Sequence, residues 1–214
     1  MKDYKNKVEL IGTYGGDLTH SLSAWTSTSR DLTDEKRGRM DKLLNMLASN
    51  KHGTPFEKSS LHFLITSDLA SHIHLLKHRI SSLNAESARY KELKDDKFYI
   101  PNDWPEDEQT LLVKHSEESL IKYHECLTRL VAGGMSKKRA KESARFYLPY
   151  SNQITCDVMF NFRSFMHLVG LRYSEHAQRE ISNITYDMLH LVSQTGKFDL
   201  SLNAFGWTKE KIYK

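Results

Sequence analysis

The chain has 214 residues, 39% hydrophobic and 27% charged, with 31 Lys and Arg against 27 Asp and Glu and a formal charge of +4. That length and composition suit one folded domain, residues 1–214, and exclude a disordered tail or linker. Two isolated cysteines, Cys126 and Cys156, exclude a disulfide framework or a cysteine-built zinc site. No apolar run reaches membrane-spanning length, so a cytoplasmic protein is expected.

In chain order, Val8 to Tyr14 reads as a short strand closed by Gly15 and Gly16. Thr33 is a good N-cap, and Met40, Leu43, Leu44 and Leu47 behind it have amphipathic helical spacing. Leu61, Phe63 and Ile65 alternate with Ser60, His62 and Thr66 as in a half-buried strand. Leu69, Ile73, Leu76 and Ile80 then fall at spacings of 4, 3 and 4, which predicts one buried stripe of a helix.

Lys91 to Pro105 is charged, holds two prolines and lacks periodicity, and is expected to be a surface loop able to cover a site. A long helix follows, with Leu120, Tyr123, Leu127 and Leu130 inward and Gly133-Gly134 as its stop. Ser136 begins another helix, which reaches about Arg145. Ile154, Val158 and Phe160 mark a strand, and the remainder is helical with a break near Tyr173 and Ser174. Several helices with a few scattered strands predict an α+β domain with a small antiparallel or mixed sheet.

The densest chemistry lies in Lys77-His78-Arg79-Ile80-Ser81-Ser82-Leu83-Asn84-Ala85-Glu86-Ser87-Ala88-Arg89-Tyr90. Forked guanidinium donors, imidazole, amide and hydroxyls suit a phosphorylated polar ligand. A capped helix end followed by a turn would use the same residues equally well.

This segment resembles the signature of the flavin-dependent thymidylate synthases, Arg-His-Arg, seven residues, then Ser: Lys77-His78-Arg79 is followed by seven residues and Ser87. His52-Gly53-Thr54-Pro55-Phe56-Glu57 is similar to that family's His-x-Ser/Thr-Pro-Phe-Glu stretch. Ala144-Arg145-Phe146-Tyr147-Leu148-Pro149, Asn161-Phe162-Arg163 and Leu171-Arg172 through Ile181 follow its later blocks in order. The resemblance covers roughly residues 50 to 185.

It implies reductive methylation of dUMP to dTMP, with FAD as cofactor and NADPH and 5,10-methylenetetrahydrofolate as co-substrates, in a homotetramer whose active sites combine several chains. It assigns Thr54, Lys77, His78, Arg79, Asn161, Arg163 and His167 to FAD. It assigns His74, Glu86, Ser87, Ala88, Arg89, Arg145 and Arg172 to dUMP, with Arg172 as the catalytic residue at the pyrimidine; it places His52 and Glu57 near the flavin or folate region with no fixed role. Lys77 replaces the first Arg of the signature and Ala85 its Glu, while His74 and His167 stand where an amide is common. Arg163 and Arg172, nine residues apart, would point to opposite sides of one straight helix.

Neither cysteine has the Pro-Cys setting of the classical folate enzyme, and no Gly-x-Gly-x-x-Gly turn occurs. Two other classes compete. His74 and His78, at i and i+4, suggest a metal enzyme, but no carboxylate sits in His-Glu-x-x-His order. A basic nucleic-acid-binding module without catalysis would use the basic helices, but no recognised fingerprint accompanies them.

Overall fold

The structure, a computed structural model, describes residues 4–87, 89, 92 and 97–213. Strand β1 (Lys7–Tyr14) is followed by helices α1 (Asp17–Trp25), α2 (Asp34–Gly38) and α3 (Met40–Ser49), then a 3-10 turn, Thr54–Glu57. Strand β2 (Ser60–Asp68), α4 (Leu69–Leu76) and β3 (Ser81–Ala85) precede the long α5 (Glu106–Ala132) and α6 (Lys137–Ala144). After a 3-10 turn, Arg145–Tyr147, come β4 (Gln153–Phe160), α7 (Phe162–Arg172), α8 (Arg179–Gln194), α9 (Asp199–Ala204) and α10 (Lys209–Ile212). The strands form a four-stranded antiparallel sheet in the order β1-β2-β4-β3, so the fold is α+β. Among the described residues no helix is long and apolar enough to cross a membrane.

The chain forms two compact units from interleaved segments: residues 1–7, 65–76 and 84–156 make the first, and 8–64, 77–83 and 157–214 the second. In the first unit, α5 and α6 enclose Tyr123, Leu127, Ala140 and Ala144, with Leu120, Cys126 and Leu130 packed against them. In the second, the core is aromatic. Phe162 stacks on Phe198 with centroids 5.5 Å apart, Phe56 meets Phe205 edge-on at 4.9 Å, and Phe63 stacks on Phe165 at 5.7 Å. Each fully buried Phe contributes about 2–3 kcal/mol. Phe56 and Phe162 therefore fix the Thr54–Glu57 turn and the start of α7, which carry Glu57 and Arg163.

Much of the expected pattern is present. Leu61, Phe63 and Ile65 are fully buried on β2, and Gly133 caps α5. Thr33 caps α2 by accepting from Lys36 N, but the helix breaks at Arg39, because Gly38 is a poor helix former.

The α4 expectation is overturned. Ser71, His72 and Leu75 face inward, while Ile73, Leu76 and Ile80 are 40%, 55% and 73% exposed and Ile80 lies beyond the helix. Asp68 sets that rotation: its carboxylate accepts from Ser71 N at 2.8 Å and from the Asn6 side chain at 2.7 Å. The expected surface loop is also corrected in part. Phe98 and Ile100 are buried, Phe98 stacks on Tyr4 and bridges to Asn152. Lys91 and residues 93–96 lie outside the described residues.

Candidate functional site

The residues assigned to FAD all fall in the second unit, as does Arg172; His74, Glu86, Ser87, Arg89 and Arg145, assigned to dUMP, fall in the first. In the second unit the His52-to-Glu57 stretch forms a tight turn with Pro55 in its first positions, where a missing N–H costs nothing. Glu57 accepts from Arg163 Nη1 at 2.6 Å. Gly53 leaves room for that guanidinium: a Cβ there would lie 2.6 Å from Arg163 Nε. Asn161 serves as the N-cap of α7, accepting from Ser164 N at 2.8 Å, and so sets the helix that bears both arginines. Thr54 is exposed at the start of its turn. Leu47, Phe56, Phe205, His52, Gly53 and Arg163 help line a cavity of about 270 Å³. It has apolar walls and a cationic rim.

At the other end of α7, Arg172 Nε donates to His78 Nε2 at 2.9 Å. A guanidinium can only donate, so His78 is held neutral with its proton on Nδ1. His78 is 6% exposed, and the ring of His167 stands 6.1 Å from it, on the exposed side of α7. Lys77 and Arg79 are exposed. Ile80, at φ 61, is a β-branched residue in the left-handed region, a strained turn that reverses the chain into β3. The Ser81 hydroxyl fastens the turn by donating to His78 O at 2.8 Å. The signature segment thus follows directly on the end of α4 at Leu76, and its stretch Ser81–Ala85 is strand β3.

In the first unit, Arg89 Nε donates to Glu142 Oε1 at 2.7 Å, and Arg139 Nη1 approaches Glu142 Oε2 at 3.5 Å. The Arg89 hydrogen bond, assisted by the nearby cations, holds the Glu142 carboxyl below its ordinary range. Ser87 Oγ accepts from Arg89 N at 3.3 Å. Arg145 is exposed at the start of its turn, and His74 is half-buried with Nδ1 lacking a hydrogen-bond partner among the described residues. Glu86 has a different setting: its N–H donates to Thr155 O at 2.8 Å and its Oε2 accepts from Thr155 N at 2.9 Å, which extends the β3–β4 pairing. Ala88 lies outside the described residues.

Sequence reasoning missed the pairing of Glu57 with Arg163 and the spatial role of Gly53. It also missed a buried polar chain, Asp17–Ser201–His20–Ser59, whose members lie up to 184 residues apart and leave no local signal.

The family model described as thymidylate synthase complementing protein matches residues 9–195. A flavin-dependent thymidylate synthase of Pseudothermotoga lettingae is 33% identical over 181 residues, covering 81% of this chain and 79% of that protein. One from Tropheryma whipplei is 31% identical over 201 residues, covering 81% and 82%. Among solved structures, the UMP/dUMP methylase PolB of Streptomyces cacaoi bound with 5-Br dUMP superimposes with a TM-score of 0.79 at 27% identity, covering 95% of this chain and 96% of that one. Bound with 5-Br UMP, the same methylase gives 0.77 at 26% identity.

Proposed function

Because this chain belongs to the thymidylate synthase complementing protein family, we propose that it is an FAD-dependent methyltransferase that converts dUMP to dTMP in dTMP biosynthesis. The carbon comes from 5,10-methylenetetrahydrofolate and the reducing equivalents from NADPH. The relatives' naming as flavin-dependent thymidylate synthases and the methylase's action on UMP and dUMP support that reading. The observation that carries it is the Arg172–His78 contact, a guanidinium oriented by a neutral histidine inside the signature.

Arg172 directs its donors at the uracil carbonyl and stabilises negative charge as it develops on the ring. A preorganised donor of this kind contributes most when water is excluded. His78 keeps Arg172 from rotating away. Arg89 and Arg145, with Ser87, Ala88 and His74, hold the nucleotide; each charge-assisted hydrogen bond to its phosphate contributes about 1.5–3 kcal/mol. Glu142 occupies Arg89 until the phosphate displaces it.

The cavity beside Gly53 fits FAD chemically, with Phe56, Phe205 and Leu47 for a flat ring and Arg163 and Lys51 for an anionic arm. Thr54, Asn161 and His167 from the same unit, with Lys77, His78 and Arg79, complete the set. When bound, FAD supplies the hydride chemistry that no side chain here can supply. At about 270 Å³ the cavity falls below the usual range for a ligand site, roughly 300–1,000 Å³, so one chain provides only part of it. Ile73 and Leu76, exposed on α4, offer apolar surface for a second copy, in keeping with a homotetramer.

Incubating the purified protein with FAD, NADPH, 5,10-methylenetetrahydrofolate and dUMP, with separation of the nucleotides, tests the function. Conversion of dUMP to dTMP is expected only when all four are present; no dTMP from a flavin-loaded protein contradicts it.

A further inference from the structure

The second unit contains another cavity, of about 510 Å³, lined by none of the residues assigned above to FAD or dUMP. Thr19, Ser23 and Thr26, at i, i+4 and i+7 of α1 and its cap, present a row of hydroxyls to it. Arg30 and Lys58 bring positive charge, and Ser59 lies deeper, 5% exposed. Its one carboxylate, Glu57, is already countered by Arg163 at 2.6 Å. Among the described residues neither Arg30 nor Lys58 has a carboxylate partner. The cavity therefore carries unspent positive charge among hydroxyls.

The polarity of Ser59 is fixed from the interior. Asp17 accepts from Leu200 N at 2.9 Å, from Ser201 N at 2.8 Å and from the Ser201 hydroxyl at 2.6 Å, so it acts as a carboxylate. With its proton spent on Asp17, Ser201 Oγ can only accept from His20 Nδ1–H, at 2.8 Å. His20 Nε2 is then an acceptor, and the Ser59 hydroxyl donates to it at 2.8 Å. Ser59 thus keeps only lone pairs for the cavity. A ligand suited to it presents hydroxyl protons at Ser59 and anionic oxygens at Arg30 and Lys58, which is the chemistry of a phosphorylated ribose.

We propose that this cavity binds the ribose-phosphate portion of a dinucleotide, with Arg30 and Lys58 on the phosphate and Ser59 on a sugar hydroxyl. Resting on the function proposed above, two sources share that chemistry: the adenylate half of FAD, or that of the NADPH reductant. Because Glu57 lines this cavity and holds Arg163 at the other, occupancy here is coupled to the position of Arg163.

The test is calorimetric titration of the flavin-free and flavin-loaded protein with 2′,5′-ADP, a redox-inert probe, together with titration of the flavin-free protein with FAD. Wild type is compared with an Arg30→Ala/Lys58→Ala double variant and with Ser59→Ala. Saturable binding of the probe to wild type, weakened about tenfold or more in the double variant and less in Ser59→Ala, is expected. Arg30 and Lys58 are exposed, so the double variant keeps the wild-type melting temperature. If FAD is the source, the variants lose FAD affinity and bound FAD blocks the probe. If NADPH is the source, FAD affinity holds, the flavin-loaded protein still takes the probe, and the KM for NADPH rises. Unchanged affinity for both probe and FAD in the folded double variant overturns the proposal. Such a result with dTMP formation intact leaves the proposed function standing, whereas weakened probe binding with no dTMP formed contradicts only that function.

Discussion

His20 and His78, both buried in the second unit, sit in opposite surroundings. His20 has both ring nitrogens bonded to serines, sits among Phe56, Phe162 and Phe198, and lies within a chain that runs from the Asp17 carboxylate to Ser59. Burial pushes its pKa down to about 4. His78 instead gives one nitrogen to the guanidinium of Arg172. The first histidine is sealed in the core, where its expected role is stability; the second faces a cation, which under the proposed function it orients for the reaction.

The sharpest way to break that contrast is at Arg172. Arg172→Ala is expected to lower kcat by about 10³-fold, roughly 4 kcal/mol, while leaving flavin binding unchanged. His78→Gln, which keeps an acceptor for the guanidinium, should retain more activity than His78→Ala. Equal loss in the two variants would detach His78 from Arg172.

At the sealed histidine the expected effect is on folding. His20→Ala should cost about 3–4 kcal/mol in urea denaturation, from the lost ring packing and two serines left without their partner. The pH dependence has the same origin. A folded-state pKa depressed from 6.5 to about 4 means that His20's contribution is complete above pH 6.5 and lost as pH falls toward 4. That loss is about 3 kcal/mol by linkage, and His72, also lowered by burial, adds in the same direction. Denaturation midpoints between pH 7 and 4 should fall less steeply in His20→Phe than in wild type.

Smaller effects come from the backbone around the signature. Asn161→Ala removes the α7 cap and should cost about 1 kcal/mol, with weaker flavin binding as Arg163 loses its register. Ile80→Gly relieves the left-handed strain of an exposed residue and should raise stability by about 0.5 kcal/mol, less than the strain itself because glycine loses more entropy on folding. A lower melting point for Ile80→Gly would show that Ile80 packs more than its exposure indicates.

The elements with strong periodicity were legible in sequence, because burying Leu61, Phe63 and Ile65 on one face of β2 requires alternation, and Tyr123 and Leu127 on α5 require helical spacing. Stripe reading failed on α4, where hydrogen bonds to Asp68 outweigh hydrophobic phase and turn Ile73 and Leu76 outward. Strand β3 was hidden because its residues, Ser81 to Ala85, read equally well as a turn. At the candidate site, the motifs named Arg163, Arg172, Glu57 and His78 but not their pairing, since Glu57 and His78 lie 106 and 94 residues from their arginines and pairing over such distances is set by the fold. Glu86 shows the reverse, a motif position whose carboxylate is engaged by the backbone of Thr155.

The most direct measurement is an anaerobic single turnover: protein carrying FAD reduced by NADPH, mixed with dUMP and 5,10-methylenetetrahydrofolate, with dTMP and oxidised flavin counted together. One dTMP per flavin reoxidised is predicted. Flavin that stays reduced with no dTMP, or dTMP formed without flavin oxidation, would contradict the assignment of this chain as a flavin-dependent methyltransferase.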